Sequence, residues 1–567
     1  MNSESTRYFL YLSEIIGSTC FILAVFQILD SLQINIHPTL HRLTYTQIFT
    51  LSLNISSFAF VSLLLWVLLN LKNYKVVLSS LSGLILYPFG EPELAVSLSA
   101  IVSVIVYLSI EKEPHFFIRG ILTNFAILEF IALIDYGVLR PLGVNLNIRQ
   151  LTFLEYQVSS LMALLAPPLI LYLLFSWASK AIIQWGYEYN FKAPSQLKSQ
   201  NGKKVSMIIL AISIILGVIS SFYPFSEAIN PYGLDPGVDI KKYLRITELV
   251  VDDPSQIFEF GLGLRPVMFI FLRFLVNVVN LEPYSAVKYS STIVIVLLTV
   301  TSYFLSREIT DEVTASLSSF FTVTGYQVTV GMYAFFVTNI LALSFTFLCL
   351  MFLIRASKNH KILELVGAVF FGSLILFTHP WTFFQYFGSI FICLVYLLTS
   401  VRRLVDHLFE VKLLGVFVVC MVFVEIVKDL VLNQNAGGSV AETLFTGVDH
   451  MGDFWANSIF GFRYLHGGFL SNLVLIILVT LGVMYFSKNF EALLMNSLLF
   501  CTSLVYLFGD NSIKARLIFN LPVGLFASIG FMLLMTRPNT RKVRVELATY
   551  IILFSTVTLF RCIANLV

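Results

Sequence analysis

A carboxylate at the mouth of a membrane cavity can take a proton from a hydroxyl or an amide, and nearby lysines and arginines can meet a phosphate. The segment from Phe222 to Arg245 carries such a set. Pro231, Gly233, Pro236 and Gly237 favour a turn. Asp235 and Asp239 flank its second half, and Asp239 opens a short expected helix that carries Lys241, Lys242 and Arg245. An aspartate in that place also suits a solvated helix N-cap. His379, in Thr378-His-Pro-Trp-Thr382, ends an apolar run, where it either bonds a backbone carbonyl or meets a ligand phosphate. Asp449, His450 and Asp453, with Arg463 and His466, lie between Gly437 and Phe469. A His/Asp set of this kind can hold a divalent metal, but its spacing fits no standard signature; acceptor binding or plain loop structure is the alternative. Arg516 precedes a late apolar run containing Pro522, as a phosphate contact or as an interfacial anchor that snorkels at its helix end.

The elements that must position these groups follow from composition. The 567 residues are 57% apolar and only 12% charged, with a mean hydropathy of +0.85, against about 25% charged in an ordinary soluble domain. That excludes a soluble fold. Thirty-six basic and 33 acidic side chains leave a net +3, too little to neutralise a nucleic-acid backbone, so no nucleic-acid partner is expected. The six cysteines lie in or beside apolar runs without C-x-x-C spacing, and read as small packing residues. No G-x-x-x-x-G-K-[ST] and no Rossmann glycine run is present.

Apolar stretches of about 18–25 residues give roughly seventeen expected transmembrane helices, hence an all-α polytopic fold. Six fall in a front block, at about 8–29, 47–71, 75–90, 93–110, 117–138 and 154–178, the first a retained anchor without a cleavage site. A polar, lysine-bearing linker over 181–205 separates residues 1–180 from a second block, 206–567. Spans there are expected at about 206–222, 286–305, 311–326, 332–355, 361–378, 382–400, 411–431, 469–487, 489–508, 515–536 and 546–564. Lys and Arg collect in alternate short loops, including Lys72, Lys112, Arg355, Arg402 and the cluster Arg537 to Arg544. That side is cytoplasmic by the positive-inside rule, which sends the segments 223–285 and 432–468 outward together. Glu129, Asp135 and Glu155 lie in or beside front-block spans with no cluster around them, and read as packing groups. Glu425, Lys428 and Asp429 share a span end as interfacial anchors.

Gly237-Val-Asp239 followed by Tyr243, then Arg265-Pro266-Val-Met-Phe-Ile-Phe-Leu-Arg273, a span ending Ser302-Tyr-Phe-Leu-Ser-Arg307, the His379-Pro380 pair and Arg516 before a Pro-containing span occur in that order. As an ordered set over residues 205–567, they resemble the GT-C superfamily of polyprenyl-phosphate-sugar-dependent membrane glycosyltransferases. The resemblance implies a GT-C-like core, to which the front block is an addition. It also implies a sugar donor linked to a polyprenyl or dolichyl phosphate, a glycan, protein or lipid acceptor, membrane lipids as surroundings, and a reaction centre on the extracytoplasmic face of the cell membrane. Asp239 becomes the general base, with Asp235 beside it, and Lys241, Lys242, Arg245, His379 and Arg516 the phosphate contacts. Family members use two carboxylates adjacent or once-spaced, whereas here they are four positions apart. No cofactor is required, although a divalent metal is compatible. Members akin to oligosaccharyltransferases carry Trp-Trp-Asp-Tyr-Gly, which this sequence lacks, so a monophosphate donor is expected. The rival reading is a polytopic transporter or a lipid or glycan flippase, which would place charged or broken helices at the midplane.

Overall fold

A computed structural model describes residues 16–18, 21, 49–50, 64–66, 100, 102–107, 115–142, 144–145, 200–227, 230, 233, 235–237, 239–259, 265–399, 405–432, 473–485, 490–504, 519–536 and 541–564. These are almost wholly helical; the only strand pairing among them is a two-residue parallel contact of Phe49–Thr50 with Val144–Asn145. Six of the described helices are long and apolar enough to cross a membrane: Arg119–Leu139, Gly202–Phe225, Pro283–Ile309, Val337–Asn359, Pro380–Leu398 and Arg541–Ile563. The protein is therefore an α-helical membrane protein. Pro266–Asn277, Ile362–Thr378, Phe490–Thr502 and Val523–Thr536 are apolar but shorter, below the roughly 20 residues that cross a bilayer untilted. Six such helices is fewer than the seventeen expected, and the expected spans at 8–29, 47–71, 75–90, 93–110 and 154–178 lie mostly or wholly outside the described residues.

The chain divides into two compact units, 1–161 with 537–561 and 162–536 with 562–567. In the first, helix α1 (His115–Ile134) runs into a π turn, Asp135–Leu139, and a 3-10 turn, Arg140–Leu142. Pro141 cannot donate to a helical ladder, which ends the element there. Asp135 accepts from Arg140 at 3.2 Å, and that guanidinium lies 4.0 Å over the Tyr136 ring. Trp66, Ala100, Val104 and Tyr107 form a small core, with the Trp66 and Tyr107 rings edge to face at 5.3 Å. The C-terminal helix Arg541–Ala564 belongs largely to this unit, and Arg119 of α1 grips Glu546 through two guanidinium nitrogens. Glu129 is 3% exposed and Arg561 2% exposed, and the Arg561 charge acts on Glu129 through space. The sequence spacing placed nothing near Glu129; folding brings it an arginine from the far end of the chain. Glu155 lies outside the described residues.

The second unit runs α2 (Gln200–Phe222), α3 (Ile240–Asp252), α4 (Gln256–Glu259), α5 (Pro266–Asn277), α6 (Pro283–Ile309), α7 (Glu312–Val323), α8 (Tyr326–Ala334), α9 (Val337–Asn359), α10 (Ile362–Thr378), α11 (Pro380–Leu398), α12 (Leu408–Leu432), α13 (Leu473–Tyr485), α14 (Phe490–Leu504) and α15 (Val523–Thr536). Apolar surface gives helices no reason to associate in a lipid, so small and hydroxyl residues must bring them together. Between α6 and α7, Ser302 Oγ lies 3.0 Å from Ser318 Oγ and 2.9 Å from Thr322 Oγ1, and Ser319 donates to the Thr299 carbonyl at 2.8 Å. Between α13 and α15, Gly482 faces the Phe526 carbonyl and Gly530 faces the Leu478 carbonyl, so closely that a Cβ on either glycine would overlap that carbonyl. Gly530→Val is expected to cost about 1–3 kcal/mol by forcing the two backbones apart, read as a lower melting temperature in detergent. An unchanged melting temperature would show that the helices do not need this approach.

Candidate functional site

The segment around Asp239 is built by α3 and its entry turn. Gly233 N donates to Asn230 O at 3.1 Å, closing the first part of the turn. Gly237 has φ +93°, and a Cβ there would lie 2.8 Å from Met332 O and 2.9 Å from Phe335 Cβ, so only glycine fits. Beyond it α3 is amphipathic. Ile240, Tyr243, Ile246, Thr247 and Val250 are buried, whereas Lys241, Lys242 and Arg245 are exposed.

Asp239 occupies the N-cap of α3, and its carbonyl accepts from Lys242 N and Tyr243 N, both at 3.1 Å. Its carboxylate makes no capping bond. The side chain is thus left over from the cap that local sequence suggested for it, and is half-buried at the head of the helix. Asp235 instead sits 3.8 Å from Lys241 Nζ in an exposed ion pair. At the other end, Asp253 turns the chain into α4. The Gln256 side chain first, then Ser255, hydrogen-bond its carboxyl and hold it below the usual carboxylate range.

One helical turn after Asp239, Tyr243 points into the unit. Its hydroxyl lies 2.7 Å from Thr338 Oγ1, and Arg265 Nη1 donates to the same oxygen at 3.2 Å. Arg265 stands at the N-cap of α5, where Pro266 at the first helical position costs no hydrogen bond. Thr338 lies in the first turn of α9 because the chain breaks just before it. Phe335 adopts a left-handed conformation, φ 56° and ψ 47°, and Phe336 N turns back to Gly331 O at 2.8 Å. A left-handed phenylalanine costs of order 1–3 kcal/mol and is held by the Tyr243 ring, 5.7 Å away edge to face. The expected span over 332–355 therefore starts only at Val337. Three elements, α3, α5 and α9, meet at Thr338, and their meeting point excludes Lys241, Lys242 and Arg245, which lie on the opposite face of α3.

His379 lies elsewhere in the unit. It is fully buried at the junction of α10 and α11, and its Nδ1 caps α11 by accepting from Thr382 N at 3.3 Å, with Thr382 Oγ1 at 2.8 Å. An accepting Nδ1 puts the proton of a neutral ring on Nε2. Asn520 Nδ2 continues the network to Thr382 Oγ1 at 3.0 Å and Gln385 Oε1 at 2.8 Å, and Gln385 donates to Thr502 at 2.8 Å. His379 thus has a built structural role, a helix cap, where either a backbone-carbonyl bond or a ligand phosphate contact was expected. Lys428 pairs with Glu425 at 2.7 Å along one face of α12, as the spacing suggested. Asp449, His450, Asp453 and Arg516 lie outside the described residues. Among the described residues there is no group of three or more His, Cys, Asp or Glu placed to hold a metal.

Sequence reasoning missed Thr338, the polar bonds of Arg265, and the network around Asn520. The signal available was modest: Thr338-Asn339 is a polar pair inside an apolar run, and Asn520 stands two residues before Pro522. No protein-family model matches the chain, and a search of curated proteins finds no match.

Proposed function

We propose that this protein is a membrane glycosyltransferase of about seventeen spans, which moves a sugar from a polyprenyl- or dolichyl-phosphate donor to an acceptor on the extracytoplasmic face of the cell membrane. The observation that supports this reading is the Asp239 carboxylate, which is not used by the helix it heads and stands one turn from the point where α3, α5 and α9 converge. In the proposed step Asp239 takes the proton of the acceptor hydroxyl or amide. The acceptor atom bonds to the anomeric carbon as the bond from that carbon to the phosphate oxygen breaks, and the electron pair leaves with the phosphate. Cationic groups, Arg516 among them, offset the charge on the departing phosphate. A single displacement inverts the anomeric centre.

Purified protein in detergent, given radiolabelled polyprenyl monophosphate sugars and an extract of its own cells' membranes as acceptor source, should move label out of the donor lipid. Transfer without a sealed membrane separates an enzyme from a transporter, which needs two compartments. Absence of transfer, together with translocation of the same lipid in reconstituted vesicles, would overturn the reading. The sidedness is tested by single-cysteine variants at Ser255 and Ser439 in intact cells. Both are expected to react with a membrane-impermeant reagent; protection of either until lysis would break the topology.

A further inference from the structure

The start of α9 is a helix N-terminus of unusual character. Val337, Thr338 and Asn339 are 1%, 0% and 1% exposed, and their backbone N–H groups have no backbone acceptor among the described residues. Phe336, at the N-cap, offers no side-chain acceptor. Helix N-termini normally satisfy such donors with a cap or with water, and a buried set left open points to a missing acceptor. Two further observations identify its charge. Asn339, in that same first turn, holds a buried Nδ2 donor with no acceptor, and helical side chains as a rule lean back toward the N-terminus, the direction of the open N–H groups. Arg265 brings a guanidinium to the turn through Thr338 at 3.2 Å. Three open N–H groups, a carboxamide donor, a guanidinium and the positive end of a 23-residue helix all call for an anion with several oxygens.

We propose that the first turn of α9, with Arg265 and Asn339, is a binding site for a phosphate monoester. Resting on the glycosyl-transfer reading, the site takes the phosphate of the lipid-linked donor, one turn of α3 away from Asp239. The lipid phosphate and free inorganic phosphate share this chemistry, and the experiment separates them.

The full-length purified protein is titrated in detergent with a labelled long-chain polyprenyl monophosphate, and separately with inorganic phosphate. Wild type is expected to bind the lipid, with inorganic phosphate competing. Arg265→Gln should weaken binding about tenfold or more, the effect of losing charge-assisted hydrogen bonds, while Arg265→Lys keeps part of it because the charge remains without the fork. Asn339→Asp is the second variant. A carboxylate there satisfies the open N–H groups and suits the helix dipole, so the melting temperature should hold or rise while phosphate binding is lost. A purely structural Asn339 would not separate the two readouts. Unchanged binding in both Arg265→Gln and Asn339→Asp overturns the site and leaves the transfer reading standing, with the phosphate held elsewhere. Binding of inorganic phosphate but not of the lipid, lost in the variants, supports the anion site and overturns the lipid donor. A wild-type protein that binds neither probe overturns the proposal, while transfer by that same preparation would keep the functional reading.

Discussion

Asp239→Asn is expected to lower glycosyl transfer by at least about a hundredfold, the low end for a lost general base, with folded yield and melting temperature unchanged. The separation follows from how the residue is built in. The backbone of Asp239 starts α3, which asparagine does as well, and its carboxylate contributes no capping bond. Chemistry is lost without structure. Asp235→Asn should be much milder, because Asp235 is engaged with Lys241 at 3.8 Å in a solvated pair of little energetic weight. Comparable losses in the two variants, with sensitivity to a chelator, would instead mark a carboxylate pair sharing a metal. Activity of Asp239→Asn near wild type would remove it from the mechanism.

Arg561→Met is expected to lower the melting temperature in detergent, because the Arg561 charge acts on the buried Glu129 and is lost in the variant. Both groups lie in helices of membrane-spanning length and are almost fully enclosed, where a lone charge has neither water nor screening. The double variant Glu129→Leu with Arg561→Met should recover most of the loss, because apolar groups of similar size can replace buried charged groups at little cost. Thermal unfolding in detergent of the two singles and the double closes the cycle. If the double variant is as unstable as the sum of the singles, the two residues are not coupled.

Among the described residues, hydropathy along the chain located several of the long helices and some of their ends. The apolar run expected at 361–378 is α10 at Ile362–Thr378, and that at 286–305 lies inside α6 at Pro283–Ile309. Burial of backbone amides in lipid leaves a helix as the only conformation such a run can take, so composition alone decides it. The polar, Pro- and Gly-marked turn before Asp239 was legible for a related reason: a positive φ at Gly237 needs a glycine, and the need is written in the residue type. The break at Phe335 was not legible, because Gly331 to Val337 is apolar or aromatic throughout and nothing in its composition signals a left-handed residue. The Tyr243 ring and the returning Gly331 carbonyl, contacts that exist only in the folded unit, hold that break. The break opens the first turn of α9, and Arg265 reaches Thr338 there from 73 residues away in the chain. Glu129 and Arg561 are a still longer example. Local sequence determined which apolar segments favour a helix and which residues carry charge, since both depend on side-chain chemistry alone. Which charges and open backbone donors share one place was decided only by tertiary packing, because those distances depend on helix contacts that no local pattern contains.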